Sequence, residues 1–225
     1  MGEKVGTLVG FVASSLEWLY QLTVKMGVPS YALAIVLLTV IIKIILYPLT
    51  YKQMKSMRVM QELQPKIKEL DKKYKNDPQK KQEAIMKIYK EHNANPMAGC
   101  LPLLIQFPIL IALFRGLQSF QPSNLTHYSF MWISDLSKPD PTGLILPILV
   151  GLSTFLQQYI TSPNANDPTQ KTMLYAMPVL FGWMTRSFPA GLAFYWIVFG
   201  IVGTLQQIYI NKGIKPGPVK ESVKE

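Results

Sequence analysis

The sequence predicts an all-α polytopic membrane protein with five transmembrane helices, a cytoplasmic helical hairpin and an N-terminal interfacial amphipathic helix. Three observations lead there. Of the 225 residues 49% are apolar, yet the mean hydropathy is only +0.18, because long apolar blocks alternate with one densely charged block. Five apolar blocks, 30–51, 98–118, 143–162, 172–187 and 190–210, approach or reach the roughly 17–25 residues that cross a hydrocarbon core. The charge is also sorted by segment. Residues 52–92 hold twelve of the 23 Lys/Arg residues, and Lys171, Lys212, Lys215, Lys220 and Lys224 follow in the loops of the same side. The alternate segments carry only Lys4, Lys25, Arg115, Lys138 and Arg186. The positive-inside rule then orients the chain with its N-terminus outside and its C-terminus in the cytoplasm. Topology accounts for the net charge of +10 without nucleic acid, although contact with ribosomal RNA stays open.

Residues 1–28 read as an external interfacial helix. Ser14, Glu17, Gln21 and Lys25 recur at helical spacing as a polar stripe, Phe11, Val12, Leu19 and Leu22 occupy other faces, and Trp18 and Tyr20 suit headgroup depth. Glu17 and the lack of a basic leader argue against a secretory signal. Gly27 and Pro29 break the helix before the first span, 30–51. Residues 52–95 form the hairpin. Met57, Met60, Leu63, Ile67, Leu70 and Tyr74 step by three or four, and Pro65 is expected to kink that helix or mark a restart. Asp77 and Pro78 are the N-cap and first residue of a second helix with Ala84, Ile85, Ile88 and Tyr89 on its apolar face. Two readings of the hairpin stand side by side: a solvated connector, or a docking surface for substrate, ribosome, targeting machinery or anionic lipid. The second span, 98–118, contains Pro102, Pro108 and Gln106. An external loop, 119–142, precedes the third span, 143–162, and a short cytoplasmic loop, 163–171, follows it. The fourth span, 172–187, is short enough to require an upright or thinned setting. The fifth, 190–210, is joined to it by only Ser187, Phe188 and Pro189, so the two are antiparallel. Residues 211–225 are a basic cytoplasmic tail.

The chemistry centres on Lys43, the one charge within residues 30–50. A charge near the bilayer centre costs roughly 2.5–3.5 kcal/mol on insertion scales. It is retained where it faces protein, water or a ligand, or where it snorkels to the interface. Thr39, Tyr47 and Thr50 share its helical face. The single cysteine, Cys100, forms no internal disulfide and has no metal-ligand companions. His92 and His127 lie in loops on opposite sides. No zinc site, Ser-His or Cys-His pair can be assembled, so no metal, cofactor or catalytic residue is expected and the chain is not read as an enzyme.

The stretch NPMAGCLPLLIQFPILIALFRGL at 95–117 resembles the signature of the YidC/Oxa family of membrane protein insertases. TVIIKIILYPLTYKQMKSMRVMQELQPKIKELDKKYKND at 39–77, ILPILVGLSTFLQQYITSP at 145–163 and MPVLFGWMTRSFPAGLAFYWIVFGIVGTLQQ at 177–207 resemble its other core parts in order. The likeness covers about residues 15–210. It implies five core helices around a hydrophilic groove open to cytoplasm and lipid and closed outside, in a bacterial plasma membrane. The family's first core span usually carries arginine where this chain has Lys43. The charge is kept and the planar bidentate fork is lost. By resemblance the groove comprises Lys43, Thr39, Gln106, Gln157, Tyr195 and Trp196, although a buried glutamine or tyrosine in a bundle is more often a helix–helix hydrogen bond. The implied partners are nascent membrane proteins with one or two spans. The ribosome and the general secretory channel are further candidates, anionic lipid suits the tail, and a monomer suffices. The chain starts at Met1 without the N-terminal lipoprotein cysteine of many compact members, which fits a trimmed start or an uncleaved form of the compact type.

An anion or small-solute transporter is the alternative. It would favour inverted repeats and midplane carboxylates, whereas no Asp or Glu occurs in the five blocks. Intramembrane proteolysis lacks its residues, and a purely structural subunit leaves Lys43 and the basic hairpin unexplained.

Overall fold

Where apolar residues recur every three or four positions the chain forms helices. The computed structural model describes residues 2–95, 101–119, 125–161 and 168–213. Among these are eight α-helices: α1 (Gly2–Lys25), α2 (Tyr31–Ile45), α3 (Tyr47–Lys73), α4 (Pro78–Glu91), α5 (Leu101–Ser119), α6 (Ile145–Thr161), α7 (Pro168–Thr185) and α8 (Ala190–Gly213). A 3-10 turn spans Leu125–Tyr128. Cys100, the loop at 162–167 and the tail beyond 213 lie outside the described residues, as does the 120–124 part of the external loop.

Helix α6 packs on α7 and on α8, α2 lies along α8, and α1 bridges α2 and α5. Val12, Leu16 and Leu19 of α1 join Ile35, Leu113 and Val150 in one apolar core. Helix α1 is thus packed on one face and apolar on another, with Phe11, Trp18 and Met26 exposed. Its polar stripe is used internally as well. Glu17 accepts hydrogen bonds from the Tyr31 hydroxyl at 2.7 Å and from the Gln21 amide at 2.9 Å. Gly27 leaves the helix at φ +79°, a region that glycine enters without strain. Ser30 then caps α2 by accepting from the Leu33 N–H.

Three features differ from the sequence expectation. The block 30–51 is not one straight span: α2 ends at Ile45, α3 begins at Tyr47, and the two are bent by 63°. Pro48 lies in the first turn of α3, where its missing N–H and fixed φ favour a new helix start. Pro65, by contrast, neither breaks nor restarts α3, which is assigned as one helix from Tyr47 to Lys73. Leu63 and Ile67 on either side of it pack with Ile88, Tyr89 and Ala94, which offsets the hydrogen bond that proline forfeits. Helix α7 starts at Pro168, inside the expected loop, and ends at Thr185; the residues it gains, Pro168 to Lys171, are polar or charged apart from the proline, so its apolar stretch stays short.

By length and composition α8 is long and apolar enough to cross a membrane. The bent α2–α3 pair is a second such span if counted as one. Gln106–Arg115 and Ile145–Thr161 are apolar and shorter.

Small residues set the closest helix approach. A Cβ on Gly182 of α7 would meet the Pro147 carbonyl oxygen of α6 at 2.7 Å, and one on Gly151 would meet the Pro178 carbonyl oxygen at 3.2 Å. At the other end of the bundle α3 and α4 form the hairpin. Asp77 caps α4 by accepting from the Lys80 N–H at 3.1 Å, with Pro78 opening the helix as the sequence predicts. The Ser56 hydroxyl accepts from the Asn95 N–H at 2.8 Å, tying the returning strand of the hairpin to α3. Gln61 donates to the Thr161 carbonyl at 3.3 Å, joining α3 to the end of α6.

The segment 125–144 covers the far end. Its Leu136 and Lys138 carbonyls accept from the Gly191 and Ala190 N–H groups at 2.8 and 2.7 Å, satisfying the first turn of α8. Asp140 does the same for α6. It accepts from the Leu146 N–H at 2.9 Å, the Thr142 N–H at 3.0 Å, the Thr142 hydroxyl at 2.8 Å and the Trp132 indole at 3.3 Å. Burial works against its charge, but these donors outweigh it and hold the Asp140 carboxyl below its ordinary value.

Candidate functional site

Where α2 bends into α3, a cavity of about 110 Å³ opens between α2, α3, α5, α6 and α8. Its lining mixes Lys43, Thr50, Gln53, Gln106, Gln157, Thr161 and Gln207 with apolar groups including Met54, Met57 and Phe199. The stride of each helix explains the set. On α8 the residues Phe199, Gly203 and Gln207 are four apart and share one face. Leu46 at the bend and Leu49, Thr50, Gln53, Met54 and Met57 on α3 form the turn-by-turn stripe nearest the bend. The apolar periodicity of residues 54–70 therefore divides: Met54 and Met57 line the cavity, while Leu63 and Ile67 serve the hairpin.

Lys43 occupies the last turn of α2 and is only 6% exposed. It forms no ion pair among the described residues. Its Nζ lies 3.3 Å from the centroid of the Phe199 ring, within cation–π range. A Cβ on Gly203 would lie 2.8 Å from that Nζ and 2.9 Å from Gln157 Nε2. The missing side chain at 203 thus makes room for both polar tips. The Lys43 carbonyl accepts from Gln206 Nε2 at 3.3 Å. Such a buried ammonium is a strong attractor for an anion, because little solvent screens it.

The six residues expected to form the groove divide among the cavity lining and the helices behind it. Lys43, Gln106 and Gln157 line the cavity together. Tyr195 sits behind it, its hydroxyl accepting from Gln106 Nε2 at 2.8 Å, and its ring lies 5.7 Å from that of Phe199. Thr39 is fully buried and its hydroxyl donates to the Ile35 carbonyl of its own helix at 2.6 Å. Trp196 packs on Phe181 with ring centroids 4.6 Å apart, away from the lining residues. Adjacent helical residues diverge by about 100°, so Tyr195 and Trp196 do not share a face. Sequence reasoning missed Phe199, Gly203 and Gln207 as site residues. The signal was the i, i+4 run Tyr195, Phe199, Gly203, Gln207. Gln207 donates to Asn211 Oδ1 at 3.1 Å, while its Oε1 is buried with no hydrogen-bond partner among the described residues. It therefore offers an acceptor to whatever enters. No cluster of His, Cys, Asp or Glu able to hold a metal occurs among the described residues.

Fold and site together define a helical protein built around a lysine-bearing polar cavity. Comparison with known proteins places it more narrowly. Residues 22–217 match the family described as 60Kd inner membrane protein, and the chain belongs to that family, the YidC/Oxa membrane protein insertases. It is 45% identical over 200 residues to the membrane protein insertase YidC of Wolinella succinogenes, covering 89% of this chain and 36% of that protein. It is 44% identical over 201 residues to the YidC of Geotalea daltonii, covering 89% and 36%. To the YidC of Helicobacter pylori strain J99 it is 45% identical over 197 residues, covering 88% and 35%. The chain thus spans about a third of the length of the curated relatives it matches.

Proposed function

We propose that this chain inserts membrane proteins by drawing short hydrophilic segments of a client into the Lys43 cavity and releasing the client's hydrophobic segment into lipid. The buried, unpaired ammonium among glutamine and threonine side chains carries this reading. In it, the apolar blocks of α2, α5, α6, α7 and α8 are five spans with the N-terminus outside and the C-terminus cytoplasmic. The basic hairpin α3–α4 lies at the cytoplasmic entrance and meets the client, nascent chains with one or two spans. An acidic client segment pairs with Lys43, while Gln106, Gln157 and the free oxygen of Gln207 replace its water. Met54 and Met57 supply adaptable apolar surface. A cavity of about 110 Å³ is smaller than the roughly 300 Å³ of ordinary ligand pockets, so entry of a peptide requires α3 or α5 to move aside. Partitioning of the hydrophobic segment into lipid drives the step, and no nucleotide is needed.

The test uses purified protein in liposomes with a single-span client bearing an acidic external tail, scored by protease protection. Protection with the parent and its loss with Lys43→Ala support the reading. Solute flux without client insertion would replace it with an anion or small-solute transporter.

A further inference from the structure

The charge at the centre of the cavity is not presented freely. It rests on a ring and in a notch, both supplied by α8. Phe199 places its ring centroid 3.3 Å from Lys43 Nζ, and Gly203, one turn on, leaves the space that a Cβ would fill at 2.8 Å from the same atom. The two positions are successive on one face of α8. Tyr195, one turn earlier, lies tilted by 35° against the Phe199 ring at 5.7 Å and is itself hydrogen-bonded to Gln106. The ring is therefore braced from behind. Neither residue offers a hydrogen bond or a charge of its own to a client.

We infer that Phe199 and Gly203 form a resting berth for the Lys43 ammonium, so that a client must lift the charge off the ring before pairing with it. The inference rests on the insertase reading and names the positioning residues of that site. An acidic segment supplies an ion pair that outcompetes the ring. A neutral polar segment does not, and meets the ammonium still covered. The berth thus weakens capture of acidic clients by the strength of the cation–π contact, and leaves neutral clients unaffected. Glycine at 203 is required for the opposite reason to a turn glycine: its helix is regular, and only the approach of Nζ and of Gln157 Nε2 excludes a side chain.

Two measurements test the berth, one of them without a client. In protein labelled with ¹³C-lysine, the Hε resonance that disappears in Lys43→Ala should lie upfield through the ring current of Phe199. It should return to the ordinary lysine position in Phe199→Leu and remain upfield in Phe199→Tyr. In the liposome assay, Phe199→Leu should raise the ratio of acidic-client to neutral-client insertion about three- to tenfold, the range of a cation–π contact of ~0.7–1.4 kcal/mol. Phe199→Tyr should keep the parent ratio. Gly203→Ala, whose Cβ has only flexible side-chain tips to displace, should reproduce Phe199→Leu. In a Lys43→Ala background, which no longer inserts the acidic client, neither substitution should restore acidic-client insertion or change neutral-client insertion, which separates positioning of the ammonium from a general packing role. An ordinary Hε shift in the parent, or an unchanged client ratio in both Phe199→Leu and Gly203→Ala, overturns the berth. A parent that inserts neither client while its Lys43 resonance lies upfield overturns the insertase reading and leaves the berth standing.

Discussion

Lys43 stands where the resemblance implies an arginine, and its surroundings fit the smaller group. A single ammonium fits between the Phe199 ring and the Gly203 notch. A guanidinium is planar and longer, so it projects further into the cavity and presents a bidentate fork. Lys43→Arg is expected to insert acidic clients at least as well as the parent, and Lys43→Glu to fall to the background of protein-free liposomes. Equal activity of Lys43→Glu would remove charge attraction from the mechanism. Lys43 was legible in the sequence because a charge in an apolar run is conspicuous by itself, whereas Gln106 and Gln157 entered through the family resemblance. Phe199 and Gly203 were not legible, since an aromatic and a glycine within an apolar helix read as packing residues. Only their contacts with Lys43 give them a role. At the far end, Asp140 is held below its ordinary value by its donors. A depressed carboxyl contributes stability above its unfolded value, near pH 4, and loses it as pH falls through the lower folded value. The melting temperature is expected to fall on acidification below about pH 4, and Asp140→Ala to lower stability at neutral pH by about 1–3 kcal/mol. A variant with the parent's acid profile would exclude Asp140 as its source.

Among the elements, the α6–α7 pair depends on two bare backbones, Gly151 and Gly182, each against a proline carbonyl of the other helix. Gly182→Ala brings a Cβ to 2.7 Å from the Pro147 oxygen, which backbone cannot yield to without the helices parting. Overpacking of this kind costs about 1–3 kcal/mol, so a lowered melting temperature in detergent is expected, and an unchanged one would mean that the pair separates freely. The hairpin has its own small core of Leu63, Ile67, Ile88, Tyr89 and Ala94. Deleting residues 58–90 should therefore leave the other helices folded, by helical circular dichroism, while abolishing insertion. Retained insertion would make the hairpin a connector. The apolar stripes of α3 and α4 and the Asp77 cap were readable as local periodicity and capping. The bend at Leu46 was not, because the hydropathy of residues 30–51 is continuous across it and only Pro48 marks the new start.

Across the whole molecule, charge sorting predicts the orientation on which the proposed function depends. In a Cys100→Ser background, single cysteines at Ser134 and at Gln79 should behave oppositely toward a membrane-impermeant thiol reagent in intact cells. Ser134→Cys is expected to be labelled and Gln79→Cys protected until the membrane is opened; the reverse pattern would invert the topology. The layout also links the hairpin to the charge. Leu46, Leu49, Thr50, Gln53, Met54 and Met57 all line the cavity and all belong to the bend or to the first three turns of α3. Any change in the 63° between α2 and α3 would therefore act at this one bend, with Lys43 one turn from it and the hairpin as the long arm. A few degrees of tilt imposed at the distal end of α3 would move six wall residues in concert. The distance between the α3 wall and the walls from α5, α6 and α8 would then follow that angle.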